Sequence, residues 1–211
     1  DAGLVPRMPS LRLMAGGVQA AALTVNGTAG IGRLEVQGGE FPTRPALSVS
    51  GGGAVLAVGR GLEAPRGVPT DVLELGGARV IPGLVDSHVH LAGGGGESGP
   101  ASRVPRLHLQ ALAGCGVTTA VGLLGTDGTT RSIAELVATA LGLREEGLST
   151  WCWTGSYELP LKTLTGSVRS DVTFVDPILG VGELALSDHR SSQPTFDELL
   201  RVASDCHVSG L

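Results

Sequence analysis

Aromatic side chains are scarce in this chain: three Phe, two Trp and one Tyr among 211 residues, about 3%. Glycine is abundant instead, with 34 copies, more than twice the ordinary share of about 7%. The core is therefore left to Leu, Val and Ala, and many tight turns and close backbone approaches are expected. Cysteine is also rare. Cys115, Cys152 and Cys206 form no Cys-x-x-Cys and leave one unpaired, which favours buried reduced thiols in a cytoplasmic protein over disulfides. No apolar run reaches the roughly 18 residues of a membrane span. Positive charge is not in excess either: the formal charge of -5 gives no electrostatic reason to expect nucleic acid or a membrane as partner.

Acidic residues are missing from Ala2 to Leu34, and Arg7 and Arg12 precede the apolar stretch Leu13 to Val18. That pattern fits a targeting segment or, the reading we favour, an incomplete or loosely ordered N terminus. Residues 1–45 show no sustained period and receive no assignment. From Ala46 short alternating runs begin: Ala46 to Ser50, then Gly51-Gly52-Gly53 as a turn, then Ala54 to Val58, and later Asp71 to Leu75. These predict a small antiparallel β domain over residues 46–80, with Glu63 to Thr70 as a loop.

After Ile81 the rhythm changes to strand, loop, helix, repeated. Strands are predicted at Leu84 to His90, Val117 to Leu124, Ser149 to Thr154 and Val181 to Leu186. Ile133, Leu136, Val137, Ala140 and Leu141 keep helical spacing, with Gly147 placed as a stop. Thr195 to Glu198 resembles a capping box opening a last helix. Strands alternating with helices define an α/β protein with a parallel sheet, open or curled into a barrel.

In such a sheet, active residues gather at the carboxyl ends of the strands. The first strand ends in His88-Val89-His90. Residues two apart project from one face of a strand, so this pair offers two imidazoles to a divalent metal. A bare His-x-His is weak evidence, but the preceding Pro-Gly-Leu-Val-Asp makes it specific. Four glycines, Gly93 to Gly96, run into Glu97; they are no phosphate loop, since no Gly-Lys-Ser/Thr follows. The second strand ends at Gly125-Thr126-Asp127, the third at Gly155-Ser156-Tyr157, and the fourth carries Glu183 and ends near Asp188-His189-Arg190. Glu183 sits amid Val181, Leu184 and Leu186, where a carboxylate needs a partner; a metal or an arginine would supply one. Tyr157 could equally pack its ring and reach solvent, and Arg190 could be a surface charge. His108, in a predicted helix, and His207 read as structural, while Asp188 and Arg190 could hold His189 by hydrogen bonds alone.

Val80 to His90 resembles the first-strand signature of the amidohydrolase superfamily. Gly93 to Glu97, Gly116 to Thr119, Val121 to Asp127, Thr154 to Tyr157, Thr165 to Val168 and Ser187 to Ser191 are similar to isoaspartyl dipeptidases (β-aspartyl peptidases). The resemblance implies a (β/α)8 metal-dependent hydrolase barrel, of which residues 81–211 hold the first four strands, preceded by the small β domain. It implies a cytoplasmic zinc hydrolase of β-aspartyl dipeptides, a homo-oligomer when complete, with two zinc ions at the barrel mouth. His88 and His90 then bind the more buried metal, and Glu183 stands where known members carry a bridging carboxylated lysine. Glu97 receives the substrate's α-amino group, Tyr157 polarises the scissile carbonyl, and Gly95 and Thr126 line the pocket. Arg190 clamps a substrate carboxylate, and metal-bound hydroxide attacks.

Fewer residues follow Val80 than the roughly 250 such a barrel needs. The family's two later histidines and its aspartate base have no counterpart. The expectation is a fragment, a truncated product or an oligomer-dependent half, with little activity by itself. Two other readings stand beside it: another amidohydrolase of dihydropyrimidinase or deacylase type, and a non-catalytic scaffold of the same fold.

Overall fold

The computed structural model describes residues 22–26, 45–50, 55–60, 63, 70–74 and 83–210. The readings placed on Ala2 to Leu34 outside residues 22–26, on the turn at 51–53, on most of the loop after Glu63 and on Val80 to Pro82 lie outside them. Contacts divide the chain into two compact units. One comprises Asp1–Val85, Leu109–Thr118 and Glu145–Ser149; the other comprises Asp86–His108, Thr119–Arg144 and Thr150–Leu211.

The first unit holds a four-stranded sheet of β1 (Ala22–Asn26), β2 (Pro45–Ser50), β3 (Val55–Arg60) and β4 (Thr70–Glu74), in the order β3-β2-β1-β4. β2 pairs antiparallel with β3, and β4 antiparallel with β1, a strand in the segment that received no assignment. However, β1 runs parallel to β2, pairing Ala22 with Ala46 and Asn26 with Ser50, so the sheet is mixed. A parallel neighbour is joined by a long crossover, not a hairpin. The Gly/Ala-rich surroundings of β1 hide it in the sequence.

A second sheet has the order β5-β6-β7-β8: β5 is Leu84–Val89, β6 Val117–Gly122, β7 Ser149–Thr154 and β8 Ile178–Val181. Each neighbour is also the next strand in sequence, and a helix lies in every connection: α1 (Leu109–Gly114), α2 (Ile133–Glu145) and α3 (Val168–Phe174). This is the parallel α/β arrangement expected from the strand–helix rhythm, with β7 and β8 pairing parallel through Cys152–Ile178 and Thr154–Val181. α4 (Phe196–Ser209) closes the described chain.

The core of the second unit follows from composition. Leu91, Leu123, Leu124, Leu136 and Cys152 are fully buried, together with Ala120 and Ala140. A Cβ at Gly122 would lie 2.6 Å from Leu91 and 2.9 Å from Leu136, so β6 gives up a side chain where two leucines close over it. α2 is tied to β7 by Thr150, whose hydroxyl donates to Ala140 O at 2.5 Å. Burial pushes the Cys152 thiol up to about 12. All three cysteines are free, but only Cys152 is buried; Cys115 is exposed in the turn after α1.

Two local expectations are corrected, and one helix is added. His108 precedes α1 and is not helical. α3 was not anticipated, because its one fully buried polar side chain, Asp171, breaks the apolar period. The fourth strand ends at Val181, where it was expected to begin. The apolar run Ile178-Leu179-Gly180-Val181 forms the ladder, and Glu183 lies in the segment beyond it. That segment still follows β7: Gly182 N donates to Thr154 O at 3.1 Å and Ala185 N to Tyr157 O at 3.2 Å. The capping box is present as read. Thr195 Oγ1 accepts from Glu198 N at 3.3 Å, and Glu198 Oε2 accepts from Thr195 N at 2.8 Å.

Candidate metal centre and substrate site

Every residue singled out for chemistry belongs to the second unit. β5 delivers His88 and His90 at its carboxyl end, with the two rings edge to face at 5.7 Å between centroids. The backbone after β8 brings Glu183 against them: Glu183 Oε2 is 2.8 Å from His88 Nε2. One ligand atom from each of the three residues lies within 4.8 Å of the other two.

Their hydrogen bonding is incomplete in an informative way. His90 Nδ1 and Glu183 Oε2 are both buried, and neither makes an aligned hydrogen bond. The short His88–Glu183 approach therefore satisfies distance without satisfying direction. Buried lone pairs left unpartnered are costly, and a divalent cation among two imidazoles and a carboxylate would take them up. The donor set fits such an ion.

His90 is held by glycine. A Cβ on Gly125 would stand 2.3 Å from His90 Cε1, and one on Gly94 would stand 3.2 Å from His90 Cγ. Gly125 also has φ +65°, a conformation β-carbons disfavour. The ring thus lies in a slot that exists only because two segments carry no side chain. Gly182, next to Glu183, packs on Trp153, whose ring lies 3.1 Å from where a Cβ would be and whose Nε1 donates to Ser87 O at 3.3 Å.

A second group of polar side chains lies beside the first. Glu97 Oε1 accepts from Thr126 Oγ1 at 3.2 Å and from Arg190 Nη1 at 3.1 Å. A hydrogen bond from its own backbone amide, then those from Thr126 and the Arg190 charge, hold the Glu97 carboxyl below its ordinary range against the opposing effect of burial. Arg190 spends most of its fork on Asp188: Nε and Nη2 reach the two carboxylate oxygens, each at 2.8 Å. That bidentate pair drives Asp188 well below the usual carboxylate range and Arg190 further up. Only Nη1 is left for Glu97 or a ligand. The guanidinium lies 5.2 Å from the centre of the Tyr157 ring. Burial, then a hydrogen bond with Glu183 and its negative charge, push the Tyr157 phenol above its ordinary value of 10.0.

The sequence-predicted residues therefore form one continuous set: His88, His90 and Glu183, linked through Tyr157 to Arg190, Glu97 and Thr126. Gly95 sits in the turn before Glu97, bridged to Arg103 and packed on Ser102 O. His189 stands outside the set, with its side chain 87% exposed and Nδ1 3.4 Å from Asp188. Lys162 is elsewhere too, paired with Glu158 at 2.8 Å and donating to Gly128 O at 2.6 Å.

Two supporting residues escaped the sequence reading. Asp171 is fully buried and accepts from Thr154 Oγ1 (2.5 Å), Leu164 N (2.9 Å), Thr165 N (2.8 Å) and Thr165 Oγ1 (2.6 Å). It pins the loop after Tyr157 to the end of β7. Arg131 is buried among backbone carbonyls of the glycine loop. A cation just ahead of a helix N terminus is electrostatically unfavourable, and that was the available signal that Arg131 is held by something else.

Imidazoles, carboxylates and a phenol gather at the strand ends of a parallel α/β sheet, in the likeness of a hydrolase site. Two solved structures make the likeness specific: both are β-aspartyl dipeptidases from the thermophilic, keratin-degrading Fervidobacterium islandicum AW-1. The one in complex with the β-Asp-Leu dipeptide is 53% identical over 61% of this chain, with a TM-score of 0.60. The other is 36% identical over 90% of this chain, with a TM-score of 0.70. The resemblance to isoaspartyl dipeptidases is thus shown in both sequence and fold. The chain spans 35% and 50% of those two proteins' lengths. No family model matches this chain. Among the described residues, no helix is long and apolar enough to cross a membrane.

Proposed function

We propose that this chain carries the metal-binding and substrate-binding residues of a zinc-dependent β-aspartyl dipeptidase. The observation that carries the reading is the convergence of His88, His90 and Glu183 on one point, with Tyr157, Arg190 and Glu97 in contact beside it. His88, His90 and Glu183 would hold zinc, Glu183 offering a carboxylate able to bridge two ions. Zinc bound there supplies Lewis acidity and a nucleophile usable at neutral pH.

The chain's own residues do the rest. Glu97, kept ionised, accepts the substrate's α-ammonium group, with Thr126 and the Gly95 turn as walls. Arg190 offers Nη1 to a carboxylate while Asp188 fixes the plane of its guanidinium. Tyr157 keeps its proton at neutral pH and can therefore donate to the scissile carbonyl, stabilising charge as it develops. In the absence of ligand, Glu97 and Arg190 satisfy each other. A zwitterionic dipeptide replaces that single contact with one partner for each.

Titration calorimetry of the zinc-saturated chain with β-Asp-Leu, and with α-Asp-Leu as the control, tests this. Preferential binding of the β-linked dipeptide, weakened at least tenfold in Glu97→Gln, is expected. Equal or undetectable affinity for both peptides contradicts the proposal.

A further inference from the structure

Loops built from glycine have no side chains of their own to hold their shape. The segment between β5 and α1 contains Gly93, Gly94, Gly95 and Gly96, and it must nevertheless present Glu97 to Thr126 and Arg190. Besides the loop's own backbone bonds, one guanidinium grips it from the other side. Arg131 Nε donates to Ala92 O at 3.2 Å, Nη2 donates to Gly94 O at 3.0 Å and to Val104 O at 3.1 Å, and Nη1 donates to Asp127 Oδ2 at 2.9 Å. The side chain is 4% exposed. Both limbs of the loop, at 92–94 and at 104, are thereby joined to the segment that carries Thr126.

Asp127 is itself fixed. Its Oδ1 accepts from Thr129 N at 3.2 Å and Thr130 N at 2.7 Å, and its Oδ2 accepts from the Thr130 hydroxyl. Burial pushes its carboxyl up, but the Thr130 bonds and the Arg131 charge outweigh burial and leave it lowered. The contact is close enough to forbid side chains: a Cβ at Gly93 would meet Val104 O at 2.4 Å and Arg131 Nη2 at 3.1 Å. Gly94, which Arg131 holds by its carbonyl, is also one wall of the His90 slot.

We propose that Arg131 is a positioning residue for this site: its buried, planar guanidinium sets the glycine loop that places Glu97 and walls His90. It touches neither ligand group and acts through backbone carbonyls. A lysine has the charge but not the fork, and its three donors on a flexible stem cannot reach both limbs of the loop and Asp127 at once. The role of Glu97 in this assignment rests on the proposed function; the role of Arg131 in shaping the loop does not.

Hydrogen–deuterium exchange separates the two. The amides of Gly93, Val104 and Leu107 are bonded within the loop, to His90 O at 2.9 Å, Gly94 O at 2.8 Å and Leu91 O at 3.0 Å. Arg131→Lys should raise exchange in peptides covering residues 91–108 at least tenfold, while peptides from α4 remain as in the unaltered chain. It should also weaken β-Asp-Leu binding at least tenfold. Added guanidinium should recover part of that binding in Arg131→Ala. Unchanged exchange at 91–108, or equal acceleration in α4, overturns the assignment. If R131K does not fold, Asp127→Asn, which loosens one of the four contacts, should raise exchange at 91–108 at least threefold by the same comparison, and Arg103→Gln, which removes only the 3.5 Å Arg103–Asp127 pair, should not. If the unaltered chain binds no β-Asp-Leu, the proposed function fails, and the exchange result still decides the role of Arg131.

Discussion

Replacing Gly125 with alanine tests how far the metal centre depends on the glycine slot. Two effects add. At φ +65°, an L side chain costs roughly 1–2 kcal/mol. The new Cβ would also sit 2.3 Å from His90 Cε1, where ordinary contact begins at 3.4 Å. The ring must therefore retreat by about 1 Å, against a tolerance of about 0.2 Å for a zinc ligand. One of three ligands is then misplaced, and zinc affinity should fall by about 10–100-fold, the range seen when a ligand's supporting contacts are removed. The strain should lower the melting temperature by a few degrees, about 2–4 °C per kcal/mol for a chain of this size. Competition for zinc against a chromophoric chelator, alongside a thermal melt, measures both. Gly142→Ala is the control: Gly142 lies in α2 with open space around its Cβ position. It should leave zinc affinity unchanged and stabilise the helix by about 0.5–1 kcal/mol. Folded Gly125→Ala protein that binds zinc as tightly as the unaltered chain would refute the slot argument.

Tyr157 is the only tyrosine in the chain, so alkaline absorbance near 295 nm reports it alone. Its midpoint should lie above 10.0, because burial and then Glu183 favour the protonated phenol, and Glu183→Ala should bring it down; a midpoint at or below 10.0 in the unaltered protein contradicts the geometry. A folded pKa above the unfolded one means this group's share of stability is complete below pH 10 and is lost as pH rises through the folded value. Asp171→Ala should destabilise the fold by about 3 kcal/mol or more, since it strands several donors in a buried site; a denaturant midpoint within error of the unaltered chain would show that water replaces the carboxylate.

Much of the parallel sheet was legible because its signals are local. Apolar runs of strand length, the helical spacing from Ile133 to Leu141 and the Thr195 capping box each carry their own punctuation. The His88–His90 pair was legible for the same reason, since a strand's two-residue period alone aligns the two rings. What escaped depends on partners that no local pattern marks. β1 pairs parallel with β2, a partnership that no hairpin signal announces. Asp171 is inward-facing and charged, the reverse of what a core position suggests, and is tolerated because four donors converge on it. Arg131 is anonymous in sequence, since its partners are carbonyls and any residue supplies a carbonyl. For Arg190, read as a surface charge or, by resemblance, a carboxylate clamp, the hold that Asp188 has on most of its fork went unread.

Anomalous diffraction at the zinc edge, from crystals of the chain grown with zinc, examines the three-residue ligand set with the least intervening inference. The account predicts a peak bound by one nitrogen each of His88 and His90 and a carboxylate oxygen of Glu183, at about 2.0–2.2 Å. Zinc found only at other residues, or none at all at a concentration that saturates ordinary His/carboxylate sites, would contradict it.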